Sequence, residues 1–108
     1  MNQNEYGAFC ELYGKTLRNK VLEQILERGR LDFAVSDLLE EINISKPKLY
    51  EIIRELEETN ILVKSRIVGP TQLFLLNTNS QKVRLLNKNF KECLKLIIET
   101  VTTIKVST

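Results

Sequence analysis

Apolar residues recur at steps of three and four along most of the chain, and give way to β-branched and apolar runs only between residues 61 and 77. That pattern predicts helices framing a small β segment. Tyr6, Phe9, Cys10 and Tyr13 fall at i, i+3, i+4 and i+7, which makes a short amphipathic helix ahead of Gly14. Thr16 is placed to cap a second helix whose inner face holds Leu17, Val21, Leu22, Ile25 and Leu26, with Gly29 as its stop. Leu31 to Val35 is short and apolar enough for a brief strand. A third helix follows over about 36–42 with Leu38, Leu39 and Ile42 inward, its cap open between Ala34, Val35 and Ser36. Asn43 and Asn60 stand at helix ends where a left-handed backbone is common and Asn tolerates it.

The segment from Ile44 to Leu56 is the most informative. Ser45 can accept from an orphan amide of the first turn, and Ile44 with Leu49 is set to close a hydrophobic staple. Pro47 lies in that first turn, where its missing N–H has no helical partner to lose. Leu49, Ile52, Ile53 and Leu56 form the inner stripe, leaving Lys46, Lys48, Tyr50 and Arg54 outside. Leu62 to Val68 and Gln72 to Asn77 then read as a hairpin turning at Gly69-Pro70-Thr71. Two residues apart on its first strand, Lys64 and Arg66 should share a face. Beyond it, Leu86, Phe90, Cys93, Leu94, Ile97, Val101 and Ile104 trace a helical seam widened by Leu85, Leu96 and Ile98. Such a width, with the aromatic face of the first helix, predicts a two-fold dimer built from the terminal helices.

With 108 residues the chain has room for one core and one task. A net charge of +2 decides little, but its distribution matters: no acid occurs from Ile61 to Lys91, while Lys64, Arg66, Lys82, Arg84, Lys88 and Lys91 do. Glu51, Glu55, Glu57 and Glu58 make the Ile44–Asn60 region basic only at its start, and they should turn away from phosphate, pair with Arg54 or select a cytosine amino group. Cys10 and Cys93 read as small hydrophobes of a core or interface. No stretch is long and apolar enough to span a bilayer, and no secretory leader is visible, so a cytoplasmic location is expected. The chain has no His, no glycine-rich phosphate loop and no nucleophile with a base at a telling spacing. Neither catalysis nor a metal or cofactor is expected.

The order helix, helix, short strand, helix, turn, helix, hairpin, long helix resembles the winged helix-turn-helix regulators of the MarR and ArsR type, especially small archaeal ones. The matching residues are Ala34-Val35-Ser36-Asp37-Leu38-Leu39, Asn43-Ile44-Ser45-Lys46, Leu49, Ile53 and Leu56, then Asn60-Ile61-Leu62-Val63 and Gly69. The likeness covers residues 16–77. It departs from the family at Leu39, where a small residue is usual, and at Asn43 and Asn60, which replace glycines. The resemblance implies a mainly α fold with a small β-hairpin, divided into an N-terminal helical arm (1–14), a winged helix-turn-helix core (15–78) and a C-terminal dimerisation helix (79–108).

It further implies a homodimer that reads double-stranded DNA and represses transcription in the cytoplasm, associated with the nucleoid. The expected DNA contacts are Ser45, Lys46, Pro47, Lys48, Tyr50 and Arg54 in the major groove, with Lys64, Arg66 and Thr71 from the wing. Tyr6, Phe9, Cys10, Tyr13, Phe90, Cys93, Leu94, Ile97, Val101 and Ile104 are the expected dimer contacts. Two other readings fit the same pattern: a plasmid or viral partition adaptor, and a winged helix used only for protein contacts. No residue marks a small-molecule effector site.

Overall fold

The computed structural model of the chain describes residues 6–107, with side chains placed through residue 99. The side chains of Val101 and Ile104, and the first five residues of the expected arm, lie outside what it describes. The fold is mainly α with one small antiparallel hairpin. In chain order the elements are α1 (Ala8–Tyr13), α2 (Leu17–Arg28), α3 (Val35–Glu41), α4 (Lys46–Glu58), β1 (Leu62–Val68), β2 (Thr71–Leu76) and α5 (Gln81–Ser107).

Local chemistry sets most of these boundaries. Thr16 Oγ accepts from the Asn19 amide at 3.1 Å and starts α2, and Gly29 ends it with a φ of 62° and an N–H to the Leu26 carbonyl. Helix α3 begins after Ala34, whose amide donates to the Asp37 carboxylate at 2.9 Å, a brace that Ala34 itself cannot supply with a side chain. Ser45 caps α4 by accepting from the Lys48 amide at 3.3 Å, and Pro47 sits in the first turn. At the other end Asn60 adopts a φ of 64°, the Ile61 amide reaches the Leu56 carbonyl, and the Asn60 amide reaches that of Glu57. This paired arrangement closes the helix with Asn in the place usually given to glycine. Asn43 is different: α3 ends with Ile42 in extended conformation, and Asn60 is the one non-glycine of positive φ among the described residues.

Two β features depart from expectation. Residues 31–35 do not form a strand; Phe33 alone bridges to Phe74, each donating its amide to the other's carbonyl at 2.9 and 2.8 Å. Within the hairpin, Leu62 to Lys64 pair with Leu76 to Phe74, but Ile67 and Val68 pair with Gln72 and Thr71, so β1 carries one extra residue at Ser65–Arg66. Such a bulge breaks the period-two alternation. Thr71 is the first residue of β2, which leaves Gly69 and Pro70 in the turn.

One hydrophobic cluster draws on every element, with Phe9 and Cys10 from α1, Val21 to Leu26 from α2, Leu38, Leu49, Leu56, Leu62 and Leu76 through the middle, and Val83 and Phe90 from α5. The arm and the terminal helix therefore belong to the same core as residues 15–78. Leu49 and Leu56 are fully buried and Ile52 and Ile53 nearly so. Each such side chain contributes about 1.5–3 kcal/mol of transfer free energy, enough to explain why α4 holds its face firmly.

Candidate functional site

On α4 the buried stripe fixes which residues are left to face outward. Lys46, Tyr50 and Arg54 follow at steps of four and form one exposed ridge, beginning at the Ser45 cap. Among the described residues Lys46 and Arg54 have no ion-pair partner. Lys48 lies on the other side of the helix, where its ammonium is 3.7 Å from Glu51. The sequence places the two lysines together; the structure separates them, because a two-residue step turns a helix through more than half a circle.

Arg54 does not pair with the neighbouring glutamates. Instead Glu55 accepts from Arg18 Nε at 3.0 Å, which ties α4 to α2, and Glu57 lies 3.8 Å from Lys64 of β1. Pro47, Glu51, Arg54 and Glu58 make up the outermost line of α4, so acids enter the exposed face only beyond its first turn. Beside the ridge, a cleft of about 400 Å³ runs between the start of α3, the middle of α4 and the hairpin turn. Tyr50 from α4, Ser36 from α3 and Thr71 from β2 meet there, over Phe74 and Pro70. Tyr50 and Thr71, nominated separately from the sequence, are thus brought to one place.

The hairpin presents its cations differently from the sequence expectation. The bulge turns Ser65 and Arg66 to the same carboxylate: Ser65 Oγ donates to Asp32 Oδ2 at 2.9 Å and Arg66 Nε at 3.0 Å. These two hydrogen bonds hold the Asp32 carboxyl below its usual pKa. Lys64 and Arg66 therefore do not stand side by side as free cations; Lys64 faces Glu57 of α4, and Arg66 faces Asp32 of the loop before α3. The far end of the hairpin is apolar, with Ile67 and Val68 largely exposed.

The residues expected at a dimer interface divide into two groups. Phe9, Cys10, Phe90 and Cys93 are buried in the chain's own core, because α1 packs across α5, and this corrects their assignment to a surface shared with a partner. Tyr6 also packs against that core. Tyr13, Leu94 and Ile97 remain exposed, together with Leu12, Leu96 and Ile98. A shallow, mostly apolar notch of about 210 Å³ lies between α1 and α5, lined by Ala8, Leu12, Cys93, Leu96 and Ile97, with Glu11 at its edge.

A buried ion pair escaped the sequence reading. Glu23 is 1% exposed, accepts from the amides of Gly7 and Cys10 at 2.9 and 3.1 Å, and lies 3.3 Å from the Lys20 ammonium. It thereby serves as the N-terminal cap of α1 from a neighbouring helix. The one available signal was the absence of a capping side chain at Gly7. Lys20 also stands 5.8 Å from the centre of the Tyr6 ring. Burial, reinforced by the Glu23 carboxylate, pushes the Cys10 thiol up to about 12, and burial raises Cys93 as well. Among the described residues no group of His, Cys, Asp and Glu is arranged to hold a metal ion, and no helix is long and apolar enough to cross a membrane. Compared with protein-family models, curated proteins and solved structures, the chain matches none.

Proposed function

We propose that the chain is a sequence-specific double-stranded DNA-binding protein that acts as a homodimer and regulates transcription, most simply by occupying a promoter. In this reading α3, the turn at residues 42–45 and α4 are a helix-turn-helix, α4 enters the major groove, and the hairpin is the wing. The observation that carries it is the ridge of Lys46, Tyr50 and Arg54, whose two cations have no carboxylate partner among the described residues while Lys48, Lys64 and Arg66 each do. A free cation at the start of a capped helix and a second one two turns further along suit phosphate and guanine acceptors, and the exposed amides of the first turn add to the attraction. The meeting of Tyr50 and Thr71 at one cleft supports a backbone contact between groove and wing in this reading. The resemblance to small MarR- and ArsR-type regulators supports the same assignment.

Dimerisation through the terminal helices belongs to this reading. Its support is the apolar notch between α1 and α5 and the exposure of Leu94 and Ile97, which continue the stripe of Phe90 and Cys93 beyond the body of the chain. A cytoplasmic, nucleoid-associated location follows from the same proposal. One observation favours a different role: Glu51 and Glu58 lie on the outermost line of α4, a pattern suited to a basic protein partner.

The test is selection from a random duplex library at about 0.15 M salt, with wild type beside a Lys46→Ala/Arg54→Ala variant. Enrichment of a two-fold symmetric site by the wild type, lost in the variant, is the expected result. Equal enrichment by both would remove α4 from the interface, and no enrichment by either would favour the protein-contact role.

A further inference from the structure

Most cations among the described residues face a carboxylate, including Lys15, Arg18, Lys20, Arg28 and Lys95. Those that do not are gathered rather than scattered. Apart from Lys46 and Arg54 on α4, and Lys82, which donates to the Thr59 carbonyl, they surround one groove of about 650 Å³ between the end of α2 and the first half of α5. Arg30 stands at the α2 side of that groove. Arg84, Lys88 and Lys91 come from α5, at steps of four and three that put them on one helical face. Arg84 is steadied by donating to the Thr78 carbonyl at 3.2 Å, which leaves the rest of its guanidinium available.

Between these cations the floor is apolar, since Leu26 and Phe90 belong to the core and the half-exposed Leu94 extends it, while Thr78 and Asn87 add neutral polar groups. Glu27 is the one carboxylate of the lining, so the groove carries four cations against a single acid. Four like charges about a concave surface, against one carboxylate, leave a net positive potential that favours an anion. The volume lies within the range of small-molecule sites, and an apolar surface with a few charged groups is their usual composition.

We infer that this groove binds a small organic anion, a phosphomonoester carried on an apolar body. The body rests on Leu26, Phe90 and Leu94, and the phosphate sits among Arg30, Arg84, Lys88 and Lys91. No residue of α4 or of the hairpin lines the groove, so the site stands whether or not α4 binds DNA.

The test is an amide NMR titration of the full chain with 1-naphthyl phosphate, in parallel with inorganic phosphate and with a short duplex DNA. Saturable shifts at Gly29, Thr78, Asn87 and Lys88 are expected with the naphthyl ester, and roughly tenfold weaker binding with inorganic phosphate. A Lys88→Gln/Lys91→Gln variant, altered only at exposed positions, should weaken the ester by about tenfold or more while the remaining amide spectrum stays folded. Three results would overturn the inference: no saturable shift at millimolar ester, equal affinity for inorganic phosphate, or shifts in this groove caused by duplex DNA alone.

Discussion

A single carboxylate, that of Glu23, connects three parts of the chain: it accepts from the Gly7 and Cys10 amides and faces Lys20 inside the protein. Removing a buried carboxylate that two amides and an ammonium depend on costs about 3–5 kcal/mol. Glu23→Ala should therefore lower stability by that amount in urea denaturation and speed amide exchange at Cys10; a loss under about 1 kcal/mol would show that the pair is dispensable. Gly7→Ala places its Cβ 2.8 Å from the same carboxylate and should cost about 1–3 kcal/mol by displacing it from its donors. The sequence hid this arrangement because Lys20 and Glu23 fall off the apolar stripe of α2 and read as solvated, and only the packing of α1 encloses them. Cys10 carries a related expectation. With its thiol pushed up to about 12 and no exposure, it should resist a disulfide reagent at pH 8 in the folded protein and react once urea unfolds the chain. Rapid native-state labelling at Cys10 would contradict its placement.

At the level of elements, the helices were the most legible part, since caps and stripes are local signals. Thr16, Ser45, Gly29 and Asn60 all act where the sequence placed them. Ser45→Ala should cost α4 about 0.5–2 kcal/mol, measured by thermal unfolding, with no change in the core. The β region was less legible. A one-residue bulge leaves no trace in composition, and the expected strand at residues 31–35 shrinks to the Phe33–Phe74 bridge because α3 begins immediately after it. The bulge has a titratable marker. Asp32 is held below its ordinary pKa by Arg66 and Ser65, so its tie to the hairpin is intact above the usual carboxylate range and is lost as pH falls through the depressed value. The carboxyl resonance of Asp32 should thus titrate at lower pH than an ordinary aspartate, and Arg66→Gln should move it back up. An unchanged titration in that variant would refute the contact.

Across the whole molecule, the radius of gyration is 15.2 Å, against about 13 Å for a compact domain of this length. The terminal helix runs past the body: Phe90 and Cys93 are covered by it, while Ile97 on the same stripe is 47% exposed. The sequence showed the stripe's length but not where the body would end, so it assigned Phe9, Cys10, Phe90 and Cys93 to a partner when the chain covers them itself. If a second copy covers the remainder, sedimentation should give a dimer at micromolar concentration and a monomer for Leu96→Asp/Ile97→Asp; a monomeric wild type would confine the proposal to single-chain binding. The candidate site was legible as a list of α4 residues but not as a ridge, because ion pairing across elements decides which cations remain free.

That ridge is tested most directly by the salt dependence of duplex DNA affinity, measured by fluorescence anisotropy from about 50 to 200 mM salt. Lys46→Ala/Arg54→Ala should weaken binding and make the slope of log affinity against log salt shallower by about two per chain, one for each phosphate contact removed. A slope identical to that of the wild type, or a wild type without affinity at the lowest salt, would contradict DNA binding through α4.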